Sequence, residues 1–549
     1  MTTNKLQSVR RVGLALLLVP ALVIGESCTS LTEVPHDALT PDNAFKTEAE
    51  LLAGVAAVYA QLRSMDQEAG GGYVTMQDIT GDVMIVPTRG SDWFDNGTWL
   101  EIHRQTWTAN SGTALGYMNY AWNNLFAGVA KANLMIDVVT KAGGPNAPKT
   151  LAELRTLRAW YYYMLQDMFG GAPPLVTTTE LKKYPSSTRA ELFAFLETEL
   201  AEAIVDLPAT RPAAEYGRVT KSVAQAILAS VYLNAGVFGK NTGVNATAYN
   251  SCMGVNASVA PAGRTGCQAA IDAADAVINS GLYSLNPVWK DNFDGNNNDS
   301  PENIFVIVYT AEGSSGLGGN WPMRTLHYNQ LSTGWGSPWN GFATLAETYN
   351  AFDAADERRG MWLQGQAFSF ETSQPVNDRT GNPLIFTVAI PDATQANEAH
   401  GVRFNKFPPI PSAATGNGHP NDFPFFRLAE MYLIKAEALN EQGNQAGAII
   451  ELRRVHDLRN PNPIAGGLDQ AQLRDAILRE RLLEFAGEGK RRTDLIRHGK
   501  FTSWTEASLN GVCGPTGVCG APRAAHLILF PVPVTQIGSN PNLVQNPGY

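Results

Sequence analysis

Between residues 425 and 485 apolar positions recur at a spacing that fixes the local structure. Phe425, Leu428, Ala429, Tyr432, Leu433 and Ala436 follow the three-and-four rule of one helix face, with Arg427, Glu430 and Glu437 on the polar side. Gly443 is placed to close that helix, and Ala448, Leu452 and Val455 begin a second on the same logic. A third pattern runs from about Leu473 to Phe485. Small residues at Ala429, Ala436, Ala438, Ala446 and Ala448 suit closely crossing helices, as in tetratricopeptide hairpins or any other αα bundle. The stretch AILASVYLNAG, Ala226 to Gly236, echoes the same small-residue, Tyr, Gly pattern. Amphipathic helices are also predicted over Glu48–Arg63, Tyr120–Thr140, Thr150–Phe169, Arg189–Leu207, Lys221–Val237 and Cys267–Asn279. From Ser300 to about Pro424 the pattern changes to short β-like runs (Ile304–Tyr309, Leu384–Ile390, Val402–Phe407) in Gly-, Asn- and Pro-rich sequence. The fold class expected is mainly α, a tetratricopeptide-like helix-pair scaffold with a loop-rich remainder and short β elements.

The 549-residue chain carries a net charge of −10 and 17% charged residues, which argues against a nucleic-acid binder tracking phosphates with clustered Lys and Arg. The basic group Lys490–Arg492 lies among Glu484, Glu488 and Asp494, so ion pairing is expected there, with Glu484 serving Arg491 or Arg492. Lys5, Arg10 and Arg11 precede an apolar run, Val12 to Ile24, of the size of a signal-peptide core, and Cys28 follows it at the position of a lipidated cysteine. Such an acyl chain attaches a protein to a membrane without spanning it. The other cysteines fall in two local pairs, Cys252 with Cys267 and Cys513 with Cys519. Export permits disulfides; zinc is the competing reading, against which stand the lack of C-x-x-C spacing and of a histidine near Cys252 or Cys267.

Two loops concentrate aromatic rings beside amides and carboxylates: Arg89–Trp99 and Gly313–Trp339. Flat rings suit sugar C–H faces while Asn and Asp satisfy hydroxyls, so Trp93, Asn96, Trp99, Trp321, Tyr328 and Trp335 are the candidate ligand-binding residues; the same rings would equally pin loops to a scaffold. No metalloprotease, nucleophile-elbow, P-loop or complete dinucleotide motif is present, and no cofactor or metal is expected. Glu480 and Glu484 share a helix face, but the arginines around them favour structural ion pairs over acid–base catalysis. The oxygen-rich Asp291–Ser300 misses the EF-hand register and is expected to be a solvated loop.

Taken together, RLAEMYLIKAEALN (Arg427–Asn440), ILRERLLEFAGEGKRRTDLIRHGKF (Ile477–Phe501), LILFPVPVTQIGSNPNLVQNPGY (Leu527–Tyr549), DITGDVMIVPTRGSDWFDNGTW (Asp78–Trp99) and Cys28 resemble the SusD/RagB family of outer-membrane nutrient-uptake lipoproteins. The departures are Gly25 and Glu26 before Cys28 and the glycine-rich Cys513–Cys519 loop. The resemblance implies a signal peptide over 1–27, a SusD-like N-terminal region with tetratricopeptide-like helices over 28–320 and a C-terminal region over 321–549, packed as one globular unit. It further implies a non-catalytic, lipid-anchored, cell-surface protein that partners a SusC-like TonB-dependent outer-membrane transporter and captures an oligosaccharide for uptake. A peptide-binding RagB-like role, a glycoside hydrolase and a purely structural scaffold are the rival readings.

Overall fold

Thr47 opens helix α1 (Glu48–Ala60) with a capping box: its hydroxyl accepts the Glu50 N–H at 3.2 Å and the Glu50 carboxylate accepts the Thr47 N–H at 2.8 Å. The computed structural model describes residues 44–549 apart from 67–71, 111, 178–181, 260–262, 311–318, 332–336, 411–417 and 505–522. Residues Phe45–Tyr549 form one compact unit. Its scaffold continues through α2 (Ala114–Ala142), α3 (Ala147–Phe169), α4 (Arg189–Asp206), α5 (Lys221–Leu233), α6 (Gly266–Ile278), α7 (Leu428–Glu441), α8 (Gln445–Arg459), α9 (Gln470–Phe485) and α10 (Arg491–Arg497). From α2 to α8 each of these helices packs on the next, although a long excursion separates α6 from α7. Small residues permit the close crossings. A Cβ on Gly128 of α2 would lie 2.5 Å from the Tyr161 ring of α3, whose hydroxyl donates to the Val58 carbonyl at 2.7 Å.

The strands are short. β1 (Met84–Ile85), β3 (Ala343–Thr344), β7 (Arg403–Phe404) and β4 (Trp362–Leu363) make an antiparallel sheet in that order, with Ile85 opposite Ala343 and Ala343 opposite Arg403. A second pair joins β2 (Asn303–Ile307) to β8 (Phe423–Arg427), and a third joins β5 (Gly365–Gln366) to β6 (Ile385–Phe386). Phe425, which the helical spacing placed in a helix, is therefore a strand residue. β2 captures its backbone, and Phe425 and Phe426 pack on Trp160 with ring centroids 5.2 Å away.

The polar face expected at Arg427, Glu430 and Glu437 does not face water: all three are at most 1% exposed. Arg427 donates to Glu302 and to Glu484 (2.7 Å) and Glu488 (2.7 Å), while Glu437 pairs with Arg497 at 2.6 Å. Glu484 accepts from Arg358 at 3.0 Å and Arg427, not from the following basic cluster; Lys490, Arg491 and Arg492 serve Glu430, Asp82 and Asp167 instead. Burial raises the Glu484 carboxyl, and the neighbouring guanidinium groups of Arg427, Arg459 and Arg358 outweigh that and hold it well below its usual range. Within 291–300, Asn292 and Asn297 are buried, and the Asn297 amide bridges the carbonyls of Asn292 and Asp422 at 2.8 Å each, while Asp291, Asn296, Asn298 and Asp299 are exposed; the expected solvated loop is anchored to the core on its inner side. Cys252 and Cys267 are joined in a disulfide at the start of α6. Cys28, Cys513 and Cys519 lie outside the described residues. Among the described residues no helix is long and apolar enough to cross a membrane.

Candidate functional site

Loops running off neighbouring strands of the four-stranded sheet bring the two aromatic segments together. The chain leaves β1 for Arg89–Trp99, enters β3 from Trp339–Phe342 and enters β7 from Asn397–Val402. Arg89 and Arg403, both buried, tie these segments to one another. Arg89 donates to the carbonyls of Asn340 (2.9 Å), His400 (2.9 Å) and Asn397; Arg403 donates to the Asn340 side-chain oxygen at 3.0 and 2.8 Å and to the carbonyls of His400, Gly401 and Glu398. Burial holds the Arg89 guanidinium below its usual range, at about 10. Two buried cations satisfied largely by backbone carbonyls are a costly way to join loops, and they fix the loop geometry tightly.

The backbone at the junction is unusual. Six non-glycine residues among those described have positive φ, and four of them lie here: Trp93 (59°), Asp95 (39°), Asn96 (55°) and Asn340 (51°). A bulky residue in the left-handed region costs on the order of 1–3 kcal/mol, and such strain clusters at binding sites. Here it turns the half-buried Trp93 so that its indole N–H donates to the Trp339 carbonyl at 2.6 Å, which stitches the first aromatic loop directly to the second. Gly341 makes room, since a Cβ there would lie 2.4 Å from the Trp93 ring. Tyr328, also half-buried, donates its hydroxyl to Asp92 at 2.6 Å, and burial together with that carboxylate pushes the phenol pKa up. The Arg379 guanidinium lies over the Tyr328 ring, 4.3 Å from its centroid, and joins Asp92 (3.1 Å) to Glu398. Glu398 also meets His327 at 2.9 Å. Burial raises the Glu398 carboxyl, and the Arg379 and His327 donors outweigh it and hold it low.

The candidate residues thus separate. Trp93 and Tyr328 are half-buried on the joined loops and Asn96 is exposed beside them, with Phe94 53% exposed. Trp99 and Trp321 are each 2% exposed, a correction to the expectation that their rings face a ligand. The Trp99 indole donates to Asp95 at 2.5 Å and braces the strained turn; that of Trp321 donates to Asp66 at 3.0 Å while its ring stacks on Phe407. Trp335 lies outside the described residues. The sequence reading missed Phe94, although it sits inside the loop singled out, and Arg379, for which the turn-forming NDRTGN (Asn377–Asn382) was the available signal. Glu480 is no catalytic partner to Glu484: it is buried and bound to Arg358 at 2.6 Å and His456 at 2.7 Å. No cluster of metal-ligating side chains occurs among the described residues.

Residues 380–549 match the sequence model of the SusD family, and residues 39–233 match the model described as starch-binding associating with outer membrane. SusD-like protein P2 of Formosa agariphila is 26% identical over 95% of this chain and 97% of its own length. The starch-binding protein SusD of Bacteroides thetaiotaomicron is 26% identical over 83% of this chain and 82% of its own. Among solved structures, surface glycan-binding protein A of Bacteroides thetaiotaomicron in complex with laminarihexaose superposes with a TM-score of 0.65 at 21% identity, covering 91% of this chain and 99% of that one. That last likeness concerns the fold.

Proposed function

The chain belongs to the SusD family, and from that premise we propose that it is a surface glycan-binding protein that captures an oligosaccharide at the outer membrane and presents it to a SusC-like TonB-dependent transporter. The observation that carries the reading is the strained junction of Arg89–Trp99 with Trp339–Phe342, which holds Trp93, Tyr328 and Asn96 at one partly open place. The half-buried Trp93 ring offers the apolar face a pyranose needs, and nearby Asp92, Asp95 and Asn96 offer acceptors and donors for its hydroxyls. Rigid loops avoid the entropy of ordering a site upon binding. The starch-binding relative supports the ligand class, and the outer-membrane description of the family model matched by residues 39–233 supports the location.

In this reading the protein is not an enzyme, Cys28 carries the lipid anchor, and Trp99 and Trp321 support the site from beneath. Calorimetry on the full chain in detergent with a panel of oligosaccharides and peptides tests it. A sugar ligand is expected, with Trp93→Ala weakening it roughly tenfold to a hundredfold, the effect of losing about 1.5–3 kcal/mol of ring burial. Binding of peptides and no sugar would overturn the proposal, as would cleavage of the sugar on incubation.

A further inference from the structure

Tyr328 does not offer the ring face that its place in an aromatic loop suggests. One face is roofed by the Arg379 guanidinium, 4.3 Å from the ring centroid, and the Arg379 side chain is itself 50% exposed. An exposed arginine is ordinarily a free rotor. This one is immobilised, with Nε on Glu398, Nη2 on Asp92 at 3.1 Å, and its plane on Tyr328, whose own hydroxyl shares the Asp92 oxygen at 2.6 Å. A single planar fork thereby joins the segments carrying Asp92, Tyr328 and Glu398. Its rotamer entropy is already lost before any ligand arrives.

The backbone that delivers it is equally preset. Asp378 accepts the N–H groups of Thr380 and Asn382 at 2.9 Å each and the Thr380 hydroxyl at 2.8 Å, Gly381 takes φ +91°, and the Asn329 amide donates to the Asn377 carbonyl at 2.8 Å. Thus the turn Asn377–Asn382 is built against the Tyr328 loop rather than passing near it by chance.

We infer that Arg379 is a ligand-contacting, specificity-determining residue of this site and that the unit it reads is an uncharged sugar. The inference rests on the glycan-binding reading above. Of the guanidinium nitrogens, Nη1 has no acceptor among the described residues, so its N–H groups are left for hydroxyl and ring oxygens. Its charge, in contrast, is already met by two carboxylates, which would repel a uronate or sulfate approaching the same face. Arg89 and Arg403 supply no substitute, because Nε, Nη1 and Nη2 of each are turned into the loop carbonyls and Asn340.

Calorimetry on the full chain with maltohexaose and laminarihexaose as uncharged probes, and with a hexauronate and a sulfated hexasaccharide as anionic ones, tests this. The expected result is that an uncharged hexasaccharide binds, that its affinity changes less than about twofold between low and high salt, and that the anionic probes bind at least tenfold more weakly. Arg379→Ala should lower the affinity about tenfold or more with an unchanged circular dichroism spectrum. Arg379→Lys should fail to restore it, a point charge on a flexible stem being no replacement for the fork. Tyr328→Phe, which keeps the ring beneath the guanidinium, should cost less than Arg379→Ala. Unchanged or tighter binding in Arg379→Ala would overturn the contact, and tighter binding of an anionic probe would overturn the sugar class, while either result leaves the glycan-binding reading intact. Failure of the wild-type chain to bind any of the four sugars, with a peptide bound instead, would remove that reading and this inference with it.

Discussion

Asp422 sits where β8 begins, 2% exposed, accepting the Tyr309 N–H at 2.7 Å and the Tyr216 hydroxyl at 2.8 Å. Burial pushes its carboxyl up from 3.8 to about 6, the hydrogen bonds opposing only part of that. Between those values the folded protein holds a proton that the unfolded chain has released, so this group's contribution to stability is fully present below the lower value and is lost as pH rises to the upper one. Asp422→Asn removes the titration. The unfolding free energy of the variant relative to wild type should therefore rise between about pH 4 and about pH 6, by on the order of 2–3 kcal/mol, and stay level above; denaturant melts across that range check it. Gly341 tests the site in the same local way. Gly341→Ala places a methyl 2.4 Å from the Trp93 ring, so the ring must move. A shifted tryptophan emission and weaker sugar binding are expected, with the helical circular dichroism signal kept. Residue type alone could not have separated Trp93 from Trp99, because both are tryptophans in one glycine-containing loop. What divides them is a left-handed φ at one and Asp95 beneath the other.

At the scale of elements, the helices α1 to α6 were legible because amphipathic spacing is local in sequence. The junction at Phe425 was not, since an apolar run entering a helix reads the same whether or not a distant strand pairs with it. The buried charges were equally hidden: Arg427 looks like a solvated residue until Glu302, Glu484 and Glu488 converge on it. Helix α9 depends on that convergence. Glu484 is fully buried against Arg358 and Arg427, with Arg459 at 3.7 Å and the Trp289 indole donating at 3.2 Å. Glu484→Ala leaves those guanidinium groups short of a counter-charge, a change that costs about 3–5 kcal/mol. Urea unfolding should show the loss, with a smaller one in Glu484→Gln, while the sugar affinity of the folded fraction stays at the wild-type value. Selective loss of binding at unchanged stability would place Glu484 at the site instead.

For the whole molecule, the sequence alone supported a helical binding protein with its recognition on loops, and the family likeness added the place at the outer membrane. If Cys28 bears the anchor, Cys28→Ser should move the protein from the membrane fraction to the soluble one, and a fatty-acid probe should label the wild type only; unchanged fractionation would argue for another mode of attachment. The distribution of the ion pairs bears on how the fold is reached. Arg491 meets Asp82 across 409 residues, Arg492 meets Asp167 across 325, and the Tyr549 hydroxyl receives the Trp107 indole N–H across 442. Contacts of such span are entropically expensive to close and form late. Asp167, buried near the end of α3, accordingly stays without its counter-ion until the segment beyond residue 490 has emerged, and a chain interrupted before that point should collapse without locking, open to proteases that the finished protein resists.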